Sequence, residues 1–185
     1  FAFAIWDKVK EELFIARDRI GIRPVFYHHS AEGFSFASEI KSLFVQEHIK
    51  PEFSHGNLAQ IYTFWTTITP LTAFRDIYEL SPGHYLTYNR DGIKTARYWE
   101  LHYSDDLRSK PINKALEEFH ELFCDAVRIR LRADVEVAAY LSGGIDSSST
   151  VAYIKEIEPG VLNTFSIGFK EKDFDETSYQ SEAVK

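Results

Sequence analysis

Ser142-Gly143-Gly144-Ile145-Asp146-Ser147-Ser148 breaks an apolar run that ends at Leu141, and an apolar rhythm resumes beyond it. Two adjacent glycines admit positive φ and let a ligand approach the backbone closely. A helix beginning inside this stretch would present unpaired N–H groups and the positive end of its dipole, which suits phosphate or pyrophosphate. The hydroxyls of Ser142, Ser147 and Ser148 would add donors. Asp146 alone repels phosphate, but Mg2+ placed between them takes oxygens from both. The chemistry on offer is therefore the binding of phosphate or pyrophosphate with Mg2+ at Asp146. A serine–glycine capping turn without a ligand is the plain alternative. Other phosphate and nucleophile motifs fit poorly: there is no G-x-x-x-x-G-K-S/T, no G-x-G-x-x-G and no G-x-S-x-G.

The loop needs a strand before it and a helix after it. Val135 to Leu141 is a run of branched and small apolar residues, predicting a strand buried on both faces, as in a parallel sheet. Ser147 to about Glu158 reads as a helix stopped by Pro159-Gly160. Leu162 to Phe169 reads as a second strand, so the whole is a βαβ unit with the loop at a strand's carboxyl end, where α/β sheets bind ligands. Upstream, Leu116, Phe119, Phe123, Val127 and Leu131 recur at threes and fours, predicting an amphipathic helix with Asn113 as its N-cap. The polar stretch YSDDLRSKP separates this region from residues 1–103, with a linker at 104–112. Residues 1–103 read as β-rich. FAFAIWD and LFIAR form a hairpin, and GFSFASE, HYLTY and the strand after Asp91-Gly92 are further strands. Ile40–Phe44 and NLAQIYTFW, with Asn57 near its cap, are helical.

Bulk numbers narrow the class. The chain has 185 residues, 44% apolar and 26% charged, as in globular proteins. A net charge of −7 argues against a nucleic-acid partner. The single cysteine, Cys124, excludes an internal disulfide framework and fits a reducing, cytoplasmic setting. No run reaches the ~18 apolar residues of a membrane span. The absence of methionine and the abrupt ends lead us to expect an internal fragment of a longer protein.

The SGGxDS motif resembles the PP-loop of the ATP pyrophosphatases, enzymes that cleave ATP between the α and β phosphates. LSGGIDSS followed by TFSIGF, and then KDFDE with its Asp175-Glu176 pair, resembles the synthetase domain of glutamine-dependent asparagine synthetases. FAFAIWD, ARDRIGIRPVFY, FASEIKSLF, ELSPGHYLTYNRDG and YWEL resemble the back half of the glutaminase domain of the same enzymes. The resemblance implies two partial domains of mixed α/β and α+β class. Residues 1–103 would be the C-terminal part of an αββα N-terminal-nucleophile glutaminase domain. Residues 113–185 would open a Rossmann-like parallel α/β synthetase domain.

By the same resemblance, ATP is held by Leu141, Ser142, Gly143, Gly144, Ile145, Asp146, Ser147, Ser148 and Ile167, with Mg2+ at Asp146. Glutamine supplies ammonia through an N-terminal cysteine, expected upstream of Phe1, so no catalytic nucleophile is expected within the chain. Aspartate is the expected acceptor, activated as an adenylate, and its pocket is expected beyond Lys185. The fragment alone would then be inactive. A homodimer is a candidate assembly. Alternatives stay open: amidation of another carboxylate, a β-lactam-synthetase-like adenylating enzyme, or a non-catalytic nucleotide-binding relative.

Several tempting residues take structural readings. Cys124 reads as a buried core thiol. His28-His29 reads as an exposed hairpin end rather than a metal site. Arg17-Asp18-Arg19 reads as an ion pair and turn. Glu39 reads as a helix-start carboxylate, with a place at an interface or on the ammonia route as the alternative. Tyr62, Phe64 and Trp65 read as core or domain interface.

Overall fold

The computed structural model describes residues 1–103, 110–171, 173 and 175–184. The chain divides into two compact units, Phe1–Tyr103 and Ser104–Lys185. Of the expected linker, residues 104–109 lie outside the described ones, as do Lys172 and Phe174 of the KDFDE segment.

The first unit carries two antiparallel sheets. Strands β1 (Ala2–Asp7), β2 (Glu12–Arg17), β6 (His84–Asn89) and β7 (Gly92–Arg97) form one, in the order β1-β2-β6-β7. Strands β3 (Phe26–Ser30), β4 (Gly33–Ala37) and β5 (Ile77–Glu79) form the other, in the order β4-β3-β5. The expected hairpin is present, with Ala2 opposite Arg17 and Asp7 opposite Glu12. Its turn is closed by Asp7 Oδ1, which accepts the N–H groups of Val9 and Lys10 at 2.8 and 3.0 Å. Helix α1 (Ile40–Leu43) follows β4, and α2 (His55–Phe64) precedes β5. β5 has only three residues, too few for periodicity to reveal it in the sequence.

Ile15 faces Leu86 across β2 and β6, and both join Val25 and Leu80 in one buried cluster. Leu43, Ile49 and Ile77 form a second cluster, on which Phe26 and Phe74 pack. Leu86→Ala should therefore lower the stability of this unit by about 3 kcal/mol, through lost transfer energy plus a cavity. Urea denaturation would measure it, and a change below about 1 kcal/mol would show that the site collapses without loss.

Several sequence readings of this unit are corrected. Arg17 does not pair with Asp18. Its guanidinium meets Glu79 Oε1 at 2.7 Å and donates to the carbonyls of Arg23, Leu80 and Gly21. Asp18 turns instead to backbone: Oδ1 accepts the N–H groups of Ile20, Gly21 and Ile22, and Oδ2 that of Arg23, at 2.8–3.1 Å. The carbonyl of Asp18 also accepts Gly83 N–H at 2.9 Å, which locks this loop to the SPG turn. Gly83 itself must be glycine, because φ is +67° and a Cβ would lie 2.6 Å from the Trp99 carbonyl oxygen.

His28 is buried, not exposed, because β5 pairs along the far side of β3 and places Ile77 opposite it. Burial pushes its imidazole pKa down, and the nearby His48 adds to this. His29, by contrast, is exposed. Tyr62 and Trp65 are 88% and 93% exposed, and Phe64 is exposed too. No residue of α2 is buried in this unit, so these aromatics are neither core nor packed against it. The N-cap of α2 is Ser54. Asn57 sits inside the helix, because its amide donates to Thr72 O at 2.8 Å. Glu39 stands at the N-cap of α1 without a capping bond and pairs with Lys41.

The second unit contains α3 (Ile112–Arg130), β8 (Ala138–Tyr140), α4 (Ile145–Ile157), β9 (Asn163–Phe165) and α5 (Thr177–Ala183). The cap of α3 is Pro111 rather than Asn113, since proline has no N–H to leave unpaired at a helix start. Only the C-terminal half of its apolar face is covered. Val127 is buried and Phe123 stacks edge-on with Tyr153 of α4 at 4.8 Å, while Leu116 and Phe119 stay exposed. Cys124 is half-buried as a whole residue.

β8 and β9 pair in parallel, Ala138 with Asn163 and Tyr140 with Phe165. Both strands are shorter than the sequence suggests. The side chains of Ala138 and Tyr140 are exposed, because among the described residues β8 has only β9 beside it. The expected two-sided burial is therefore not met here.

Candidate functional site

The parallel pair delivers its carboxyl ends to one place. Leu141, directly after β8, is 1% exposed and continues the ladder by donating its N–H to Phe165 O at 2.9 Å. The Ser166 hydroxyl returns a bond to Leu141 O at 2.7 Å. The chain then turns through Ser142-Gly143-Gly144 into α4, whose N-cap is Gly144. The helix thus starts at Ile145, two residues before the sequence suggested.

The loop holds its shape through its own serines. The hydroxyls of Ser142 and Ser147 lie 2.9 Å apart. Ser147 Oγ also accepts Ser142 N–H and donates to Gly144 O, and Gly144 N–H donates to Ser142 Oγ. These two hydroxyls thus help to fold the loop. The first helical bond runs from Ser148 N–H to Gly144 O at 3.0 Å. The N–H groups of Ile145, Asp146 and Ser147 precede it and aim away from the helix, as at any helix start. Asp146 stands exposed in this first turn, and Ile145 is exposed beside it.

Gly143 has φ +87°, and a Cβ there would lie 2.8 Å from Tyr179 Cβ and 3.0 Å from Gln180 N, both on α5. The sequence explained these glycines by ligand approach. The structure shows that Gly143 is also required by close packing against α5. Gln180, only 7% exposed, donates its amide to Ile167 O at 3.1 Å and to Ser142 O at 3.4 Å. It ties the two strand ends together. Nothing in the sequence singled out Gln180 or Ser166, since a lone polar residue on a short helix carries no spacing signal.

Beside the loop an open cavity of about 280 Å3 is lined by Tyr140, Leu141, Ser142, Phe165, Ile167 and Gln180, among others. Its walls are mainly apolar, and Ile167 is 67% exposed, so its side chain is free to touch a ligand. A larger opening of about 360 Å3 lies at the amino ends of the strands, lined by Val135, Asn163 and neighbours. Its lining includes Ile154 and Glu158, so it lies at the opposite end of α4 from the helix start. Asp175 accepts from Thr177 Oγ1 at 2.5 Å and Phe169 N–H at 3.4 Å just before α5. The Thr177 hydroxyl holds its carboxyl below the usual range, helped by Phe169 N–H and opposed by desolvation.

Of the residues singled out in the sequence, the structure lines this cleft with Leu141, Ser142 and Ile167, while Gly143 to Ser148 form the adjoining turn and first turn of α4. Comparison with known proteins agrees with this order of parts. A family model for the glutamine amidotransferase domain matches residues 1–99, and one for asparagine synthase matches residues 118–185. Glutamine-hydrolysing asparagine synthetase 3 of Bacillus subtilis is 36% identical, over 94% of this chain and 29% of its own length. A putative asparagine synthetase 2 of Methanocaldococcus jannaschii is 38% identical, over 97% of this chain and 35% of its own. Amidase chry2 of Gibberella zeae is 39% identical over 85% of this chain and 23% of its own. The chain thus spans about a third or less of the length of these curated relatives. With an amidotransferase match across its first half and an asparagine synthase match across its second, the chain belongs to the glutamine-hydrolysing asparagine synthetases, a ligase family.

Proposed function

We propose that this chain is the junction of an ATP-dependent amide ligase, and that Leu141–Ser148 with Ile167 is its ATP site. The observation that carries the proposal is the SGGIDSS turn at the carboxyl end of a parallel strand, opening α4 beside a mainly apolar cleft. The donor set fits the group. Converging N–H groups of Ile145, Asp146 and Ser147 suit phosphate oxygens. The exposed Asp146 offers a carboxylate oxygen to Mg2+. Ile167 and Phe165 offer an apolar wall to adenine. Mg2+, when bound, neutralises phosphate charge and polarises the α phosphorus.

In this reading the acceptor's carboxylate oxygen attacks the α phosphorus of ATP. The bond to the β-phosphate oxygen breaks, and pyrophosphate leaves. Ammonia then attacks the acyl carbon, AMP departs, and an amide remains. The chain's part in the first step is electrostatic. Its backbone N–H groups are fixed by the Ser142–Ser147 bonds before the reaction and meet the growing negative charge without reorganising. Ammonia would come from glutamine on an amidotransferase domain to which residues 1–103 contribute, and aspartate would be the acceptor. A second reading is that the same adenylation serves a different carboxylate, since nothing among the described residues of this chain selects the acceptor.

The test is pyrophosphate release by the full-length protein with ATP, Mg2+, glutamine and aspartate. Asparagine and AMP should appear in equal amounts. Asp146→Asn should lower the rate by about 100-fold or more, the scale of one lost transition-state charge contact. Release that ignores this change would remove the loop from the reaction. Pyrophosphate formed with another carboxylate but not aspartate would favour the second reading.

A further inference from the structure

On the faces of α3 and α4 that meet each other, apart from the nucleotide cleft, three ligating side chains converge. His120 and Cys124 are four residues apart on α3, which places them on one helix face. His120 Nε2 lies 3.8 Å from Cys124 Sγ and 3.8 Å from Glu156 Oε1, the latter on α4. All three ligand atoms lie within 4.8 Å of one another. The other ring nitrogen of His120, Nδ1, is 3.1 Å from the Tyr153 hydroxyl. We propose that His120, Cys124 and Glu156 form a zinc-type metal site that fastens α3 to the last turn of α4.

The chemistry selects the metal. A thiolate, an imidazole and a carboxylate suit Zn2+ and its spectroscopic substitute Co2+, whereas Mg2+ and Ca2+ want oxygen ligands only. Tetrahedral zinc with bonds of ~2.0–2.3 Å separates its ligand atoms by about 3.3–3.7 Å. The observed spacing needs to close by up to about 1.5 Å, within the reach of side-chain torsions on these half-buried and exposed residues. Tyr153 supplies the outer contact that metal-bound histidines use to fix ring orientation, leaving Nε2 for the ion. Three protein ligands leave a fourth position to solvent water. Binding displaces the Cys124 thiol proton to solvent, and nothing is oxidised or reduced. The site is independent of the ATP reading, because its residues lie on α3 and at the far end of α4 from the loop.

The full chain, kept reduced and stripped of metal by chelator, should be titrated with Co2+ and then Zn2+. One equivalent of Co2+ should give a thiolate charge-transfer band and intense tetrahedral visible bands, which Zn2+ then abolishes. Saturating Zn2+ should raise the melting temperature by about 5 °C or more. Cys124→Ser should abolish the charge-transfer band and weaken Zn2+ about 100-fold. Glu156→Gln and Tyr153→Phe should each weaken it about tenfold or more. The exposed Glu156→Gln protein should melt unchanged without metal, so its loss of affinity reports coordination and not folding. A wild-type titration without a thiolate band, or equal Zn2+ affinity in wild type, Cys124→Ser and Glu156→Gln, would overturn the proposal.

Discussion

Asp18→Ala should destabilise the Phe1–Tyr103 unit by about 3 kcal/mol at neutral pH. Its carboxylate accepts four backbone N–H groups, from Ile20, Gly21, Ile22 and Arg23. Removing it leaves donors without an acceptor in a loop that is also tied to Gly83. Desolvation pushes the carboxyl pKa up, but the N–H groups of Arg23, Ile22 and Gly21 outweigh it and hold the pKa well below the free value of 3.8. A folded pKa below the unfolded one gives stability that is complete above the unfolded value and fades as pH falls toward the folded one. Urea denaturation of wild type and Asp18→Ala should show a constant gap above about pH 5 that narrows below about pH 4. A gap that stays the same down to pH 3 would mean that shape, not charge, is what Asp18 contributes.

Gly143→Ala should weaken ATP binding about 100-fold. Alanine at φ +87° costs about 1–2 kcal/mol by itself. The added Cβ also meets Tyr179 Cβ and the backbone nitrogen of Gln180, so the loop must move off α5 or α5 must move with it. About 3 kcal/mol in total corresponds to roughly two orders of magnitude in affinity. The control is Gly160→Ala, where φ is not left-handed and nothing lies within 4 Å of the new atom. Calorimetric titration with ATP and Mg2+ should separate the two variants sharply. Equal affinities would show that the phosphate chain binds elsewhere.

The parts of this chain that announced themselves were those with a local code. Glycine, serine and acid packed into seven positions marked the strand-to-helix turn. The polar turn between two alternating runs marked the first hairpin, and Asp91-Gly92 marked the last. What escaped was set at a distance. Arg17 and Asp18 are sequence neighbours, so an ion pair was the local expectation. The fold instead sends Arg17 to Glu79 and to Leu80 O and leaves Asp18 to its own loop. His28 looked like a hairpin end until β5, three residues long, covered it. The bond between Ser142 and Ser147 was equally out of sight, because it joins residues on either side of the glycine turn. His120 and Cys124 did have a signal, the four-residue helical spacing. Their third partner comes from 32 positions beyond Cys124, where no spacing rule applies.

Gln180 has one further consequence. Its single carboxamide spans from Ile167 O to Ser142 O, so the separation of the two strand ends is gauged by a side chain that belongs to neither. The short helix bearing it begins just after Asp175, which itself grips Phe169 N–H. The segment after β9 therefore acts as a tie rod. A pull on α5 from any quarter changes the opening of the Ser142–Gly144 turn, and anything that spreads that turn strains α5 in return.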